Sequence, residues 1–185
     1  MSSNSLIDSI EKYKDDFYKY NSKNIFLKKS QKLDCAKKIS ENFSIKEMIN
    51  ATIYIIPNTN KIIFDYTIFK LYANDNIYLD IIQHIKHLYD ILLQNYKMFE
   101  IHVILDTFTI TAAERYKYII KLFCENYMNI DINNLQCIYI YYTPSMIDSI
   151  SILLKPFIKY SFTERVIYYS KAESPSLLQK LYLTK

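Results

Sequence analysis

The chain has 185 residues, half of them hydrophobic, with 19 tyrosines, no tryptophan and no glycine. That length and apolar content suit one domain with a sizeable core. The missing glycine excludes the Walker A loop, the G-x-G-x-x-G turn and the G-x-S-x-G elbow, because each motif requires it. The net charge of +4 lies wholly in residues 1–46, where 10 lysines face 6 acidic residues.

Leu6, Ile10, Tyr13, Phe17 and Tyr20 recur at helical spacing and predict a helix over about 4–20. Asn21-Ser22-Lys23-Asn24 breaks it, and a second helix is expected over about 30–42. Ser44-Ile45-Lys46-Glu47 has the form of a capping box opening a short helical turn. Residues 51–57 and 61–72 are rich in β-branched and aromatic side chains around Pro57-Asn58-Thr59-Asn60, which predicts a hairpin. A long helix follows over about 76–98, with Tyr78, Ile81, Ile82, Ile85, Leu88, Leu92 and Tyr96 as its buried stripe. Residues 99–106 read as a strand buried on both faces. Thr111-Ala112-Ala113-Glu114 has capping-box form, for a helix to about 128. Residues 137–142 read as a strand, and Thr143-Pro144 suits an N-cap and first position of the next helix. Pro156 stops or kinks that helix; residues 165–170 form a last strand, and Ser174-Pro175 opens a terminal helix.

Strands alternating with helices require crossovers, hence a mixed, largely parallel α/β sheet covered by helices. A basic helical segment over 1–46 precedes the α/β domain of 47–185. Cys35, Cys124 and Cys137 are odd in number and lack metal-ligand spacing, which indicates a reducing, cytoplasmic setting. No apolar run has bilayer-spanning length, and Met1-Ser2-Ser3-Asn4 lacks a signal-peptide layout.

The chemistry-bearing residues are few. Asp106 ends a strand, where ligands of open α/β sheets gather, so it is a candidate polar site, with loop capping the plainer role. Asp80, His84 and His87 share a helix, but two histidines without a clear third ligand make no zinc site, and no metal or cofactor is expected. His102 reads as a satisfied core or edge histidine, and Cys137 as a small core residue. Only Arg115 and Arg165 could supply a guanidinium fork, so an enzyme gripping phosphate or carboxylate is disfavoured. The aromatics alternate with isoleucine without a basic patch, and no nucleic-acid partner is expected.

The apolar signal is strongest on the helix after Pro144. Ile147, Ile150, Leu154 and Phe157 share a face, and Met146, Ile152, Leu153 and Ile158 widen it until little polar face is left. A helix apolar nearly all round is enclosed on both sides or turns one side to a ligand or bilayer.

Residues 137–170, CIYIYYTPSMIDSISILLKPFIKYSFTERVIYYS, resemble the C-terminal half of the CRAL-TRIO lipid-binding family. Thr143-Pro144 matches its break after a strand, Lys155-Pro156-Phe157 its helix end, and Arg165-Val166-Ile167-Tyr168 its returning strand. The closest likeness is to the divergent branch that includes BCH domains and a macro-domain-associated domain. The resemblance implies no catalysis, a mixed sheet, and a movable gate over an apolar cavity at the helix matching 144–158. Its expected site is Ile147, Ile150, Leu153, Leu154, Phe157 and Ile158, holding a hydrophobic or phospholipid ligand between sheet and helix. The Lys-rich N-terminus would aid peripheral membrane contact. The alternative expectation is a BCH-like scaffold without a lipid cavity, binding a protein partner such as a small-GTPase regulator, or itself.

Overall fold

The computed structural model describes residues 3–21, 28–127 and 132–183. The predicted break at Ser22–Asn24 lies outside them. Helices α1 (Ser3–Tyr20), α2 (Lys28–Asn42) and α3 (Ile45–Thr52) lead into strand β1 (Ile53–Ile55). Strand β2 (Lys61–Asp65), helix α4 (Tyr66–Tyr72), a 3-10 turn and helix α5 (Tyr78–Asn95) follow. Then come β3 (Phe99–Ile104), α6 (Ile110–Tyr127), β4 (Leu135–Tyr141), α7 (Ile147–Leu154), α8 (Tyr160–Thr163), β5 (Val166–Tyr168) and α9 (Ser174–Leu183).

The five strands form one sheet in sequential order. β1 and β2 pair antiparallel across the hairpin, and β2 through β5 run parallel. The fold is therefore α/β with a mixed, mostly parallel sheet. Right-handed crossovers added in one direction put their helices on one face. Burial follows that rule. Ile53, Ile62, Phe99 and Leu135 join the main core with residues of α1 through α6. Ile56, Ile63, Ile104 and Tyr141 point the other way and meet α9. The N-terminal helices enter the main core through Leu6, Ile10, Cys35 and Ile39. Tyr20, expected on the buried stripe of α1, is exposed because it closes the last turn, beyond that packing.

Local chemistry explains the boundaries. Ser44 caps α3, its hydroxyl accepting from the Glu47 amide, as the capping-box spacing predicts. The second hairpin strand is shorter than expected. Asp65 Oδ1 accepts from the Thr67 amide and hydroxyl, which turns 66–72 into a helix. Tyr66, Phe69 and Tyr72 then recur every three residues toward the core. Thr109, not Thr111, caps α6 by accepting from the Ala112 amide. Thr143-Pro144 does not start α7. Thr143 donates its amide to the Tyr169 carbonyl and the Pro144 carbonyl accepts from Ile147, so the pair forms a turn. Pro156 follows the end of α7, as expected, because it has no amide proton to continue the ladder.

Without glycine, left-handed backbone falls on Asn58, Thr107 and Tyr142, at φ of 62°, 62° and 55°. Thr107 follows β3 and Tyr142 follows β4, where the chain turns sharply out of the sheet. A β-branched residue there carries strain of about 1–3 kcal/mol. Thr107→Gly should therefore raise the unfolding free energy by about 1 kcal/mol, after the extra freedom of glycine in the unfolded chain is set against the relief. Urea unfolding would measure it. A loss of stability would mean that the exposed Lys70 Nζ–Thr107 Oγ1 hydrogen bond outweighs the strain.

Candidate functional site

The predicted apolar site lies at α7. Ile150 and Leu154 are buried against Ala113 of α6, with Leu153, Ile158, Phe108, Ile110 and Ile120 packed around them. Phe157 packs on the main core, and Lys117 Nζ sits 5.6 Å from its ring centroid. Ile147 is half-buried at the first turn of α7. So Ile150, Leu153, Leu154 and Ile158 come together, while Phe157 leaves the cluster for the main core. The inward side of α7 meets α6. Its outward side mixes the exposed Asp148 and Ser151 with one apolar side chain, Ile152, which is 74% exposed; Met146, just before the helix, is 51% exposed. The small cluster and the main core share the half-buried side chains of Phe108, Ile120 and Ile158.

The polar candidates are placed as follows. Asp106 is half-buried beyond the end of β3, and its carbonyl accepts from the Thr107 hydroxyl at 2.6 Å. Asp80, Gln83, His84 and His87 line one wall of an open groove of about 460 Å³ between α5 and α3, with Ile45, Lys46 and Ile49 opposite. His84 Nε2 lies 2.8 Å from the Ile53 carbonyl, which only accepts, so this nitrogen carries the proton. The histidine thereby occupies the backbone edge of β1. No group of three metal-ligating side chains occurs among the described residues.

His102 is satisfied and buried, and its partners form a chain that local sequence shows only in part. Glu100 and His102 share one face of β3, and register sets His102 opposite Tyr139 and Ile104 opposite Tyr141. His102 Nε2 lies 3.2 Å from Glu100 Oε2, and Nδ1 lies 2.9 Å from the Tyr141 hydroxyl. The Glu100 carboxylate accepts, so Nε2–H donates to it. Nδ1 is then bare and accepts from Tyr141. Lys61 Nζ of β2 completes the row, 4.0 Å from Glu100 Oε2. Burial pushes the His102 pKa down to about 4, against the pull of Glu100, so the ring is neutral at pH 7. Burial pushes the Tyr139 phenol up to about 12, with the Glu100 charge adding to it. The spacing E-x-H on a strand could reveal the first link; the Tyr141 link needs strand register.

Carboxylate, imidazole and phenol stand in line, with the partly exposed Glu100 at one end and two buried members behind it. His102 and Tyr141 are each 3% exposed. The His102 and Tyr139 rings stack at 4.8 Å, and the Tyr139 and Tyr169 rings lie parallel at 6.0 Å. α9 crosses the same side of the sheet, held by Tyr142 N–H donating to Ser174 Oγ at 2.7 Å and by the Tyr54 and Tyr182 hydroxyls 3.1 Å apart. The row therefore ties β2, β3 and β4 together.

Fold and site define an α/β domain whose sheet carries its crossover helices on one face and a C-terminal helix on the other. No helix among the described residues is long and apolar enough to cross a membrane. The chain matches no protein-family model, and no curated protein sequence matches it.

Proposed function

We propose that this chain is a non-enzymatic binding module for a hydrophobic or phospholipid ligand, with α7 as a displaceable gate over α6. One observation carries the reading: α7 is seated inward on its own small apolar cluster and still exposes apolar surface at Ile152 and at Met146 just before it. A helix held by a satellite cluster opens at lower free energy than the main core. Lifting it would expose the apolar surface around Ala113. An acyl chain placed there gains about 0.8 kcal/mol per buried CH₂ before ordering costs. The resemblance of residues 137–170 to the CRAL-TRIO family supports the same assignment, and the basic N-terminal segment supports docking on anionic membrane.

Ile152→Asp tests the outward side. Ile152 is exposed, so the variant should unfold within about 0.5 kcal/mol of the parent. Its acyl uptake from mixed liposomes, read by native mass spectrometry, should fall roughly tenfold, because a charge opposes entry into the bilayer interface. Uptake equal to the parent removes the outward side of α7 from the proposal.

The second reading is an interaction scaffold with a closed interior. Its supporting observation is the direct seating of Ile150 and Leu154 on Ala113. A protein that purifies without lipid and takes none from liposomes would favour it.

A further inference from the structure

The sheet ends in β1 on one side and β5 on the other, and the two edges differ. On β1 the Ile53 carbonyl lies 2.8 Å from His84 Nε2 of α5 and accepts from it, and the Ile53 amide donates to the Ile49 carbonyl of α3. The start of that edge is thus occupied. On β5 the Arg165 carbonyl accepts from the Ile138 amide, and the Tyr169 amide donates to the Ile140 carbonyl. Parallel pairing alternates, so Arg165, Ile167 and Tyr169 turn their backbone groups to β4. Val166 and Tyr168 turn theirs outward, where no described residue bonds them. The open length is bounded at both ends. The Glu164 amide donates to the Tyr160 carbonyl. The Ser170 amide donates to Glu173 Oε2 at 3.0 Å, and its carbonyl accepts from the Ser174 amide.

Between those ends β5 carries no proline or lysine, the residues that commonly guard an edge strand. Its side chains are open as well: Ile167 is 39% exposed and Tyr168 48%. Val166 stands beside Ile138, which packs on the main core, so Tyr168 shares the side of the crossover helices. No crossover follows β5 to cover it. The strand is complementary to itself. Antiparallel pairing about Ile167 sets Val166 opposite Tyr168 of a second copy, so each outward N–H meets an outward carbonyl. Ile167 then meets Ile167 of the copy on the other face. Aromatic and β-branched cross-strand pairs of this kind are favourable. Charge selects the same direction. Glu164 and Lys171 are exposed at opposite ends of the strand, and neither forms an ion pair among the described residues. An antiparallel copy brings the Glu164 end of one strand to the Lys171 end of the other, whereas a parallel copy sets like charges together.

We propose that the open edge of β5 binds a second copy of this chain, β5 against β5 in antiparallel, with the two-fold axis at Ile167. The two sheets then continue into one another across the axis. The surface uses no residue of the α7 cluster on α6, so the proposal stands or falls independently of the apolar-ligand reading.

The test is sedimentation velocity of the full chain from roughly 10 to 500 µM, since so short a contact belongs with the weak, transient interfaces. The mass should rise with concentration from 22.2 kDa toward twice that value. Ile167→Lys sets two like charges across the axis, and so does Ile167→Glu. Each variant alone should stay at 22.2 kDa. Ile167 is exposed and bonds to β4 through its backbone, so both variants should keep the circular dichroism of the parent. An equimolar mixture should recover the dimer, because lysine then faces glutamate across the axis. That recovery requires folded chains and a two-fold at this position. The proposal is overturned by a parent that stays at 22.2 kDa throughout, which leaves the edge to an extended segment of another protein. It is equally overturned by a dimer that persists in both variants, or by a mixture that stays monomeric.

Discussion

Acidification from pH 6.5 to 4 should cost the fold on the order of 3 kcal/mol through His102. Burial holds its folded pKa at about 4, below the ordinary histidine value of 6.5. Between those values the unfolded chain binds the proton and the folded chain does not. Stability therefore rises with pH across this window, and the contribution is lost as pH falls through it. The physical event is local. A proton on Nδ1 removes the acceptor of the Tyr141 hydroxyl and places a cation in a site that is 3% exposed, with Lys61 close by. Glu100 offsets part of that cost. His102→Gln stays neutral at every pH. Urea unfolding of parent and variant at pH 7 and pH 4 isolates the effect, since other carboxylates and histidines are common to both. The parent should lose about 3 kcal/mol more than the variant. Equal losses would show that His102 is not the group that titrates.

Ala113→Phe should unseat α7 while sparing the sheet. Ala113 is fully buried where Ile150 and Leu154 pack, so a larger ring has no room. Overpacking costs about 1–3 kcal/mol if the neighbours yield only slightly. Here the neighbour is one eight-residue helix with its own cluster, so the cheaper response is for that helix to move. Hydrogen exchange should show amides of 147–154 losing protection by tenfold or more, with β3 and β4 amides unchanged. Binding of an apolar dye should rise. If β3 and β4 lose protection in step with α7, the helix is part of the main cooperative unit and is no gate.

Legibility varied with the range of the interaction that sets each feature. The stripe Leu6, Ile10, Tyr13, Phe17 marked α1, and the stripe from Tyr78 to Leu92 marked α5, because helical period is a local property. Ser44 with Glu47 marked the start of α3 for the same reason. Residues 66–72 misled, since Tyr, Thr, Ile and Phe suit strands by composition. A single hydrogen-bonding carboxylate, Asp65, and the core waiting for Tyr66, Phe69 and Tyr72 decided for helix. At the candidate site, the apolar character of 147–158 was plain in the sequence. What it packs against was not: the expected slot beside the sheet proved to be a seat on α6 around Ala113, an ordinary alanine until α7 is placed over it.

The sequence by itself determined the alternation of helix and strand, a largely parallel sheet, the turn chemistry of a chain without glycine, and the apolar stretch that became α7. Tertiary structure alone decided which side chains meet. The register of β3 on β4 brings His102 to Tyr141, 39 residues away, and helix packing seats Ile150 and Leu154 on Ala113. The reason is physical. Period and capping are written within a few residues of chain, whereas register, burial and the depression of a buried histidine's pKa arise only when distant segments exclude water together.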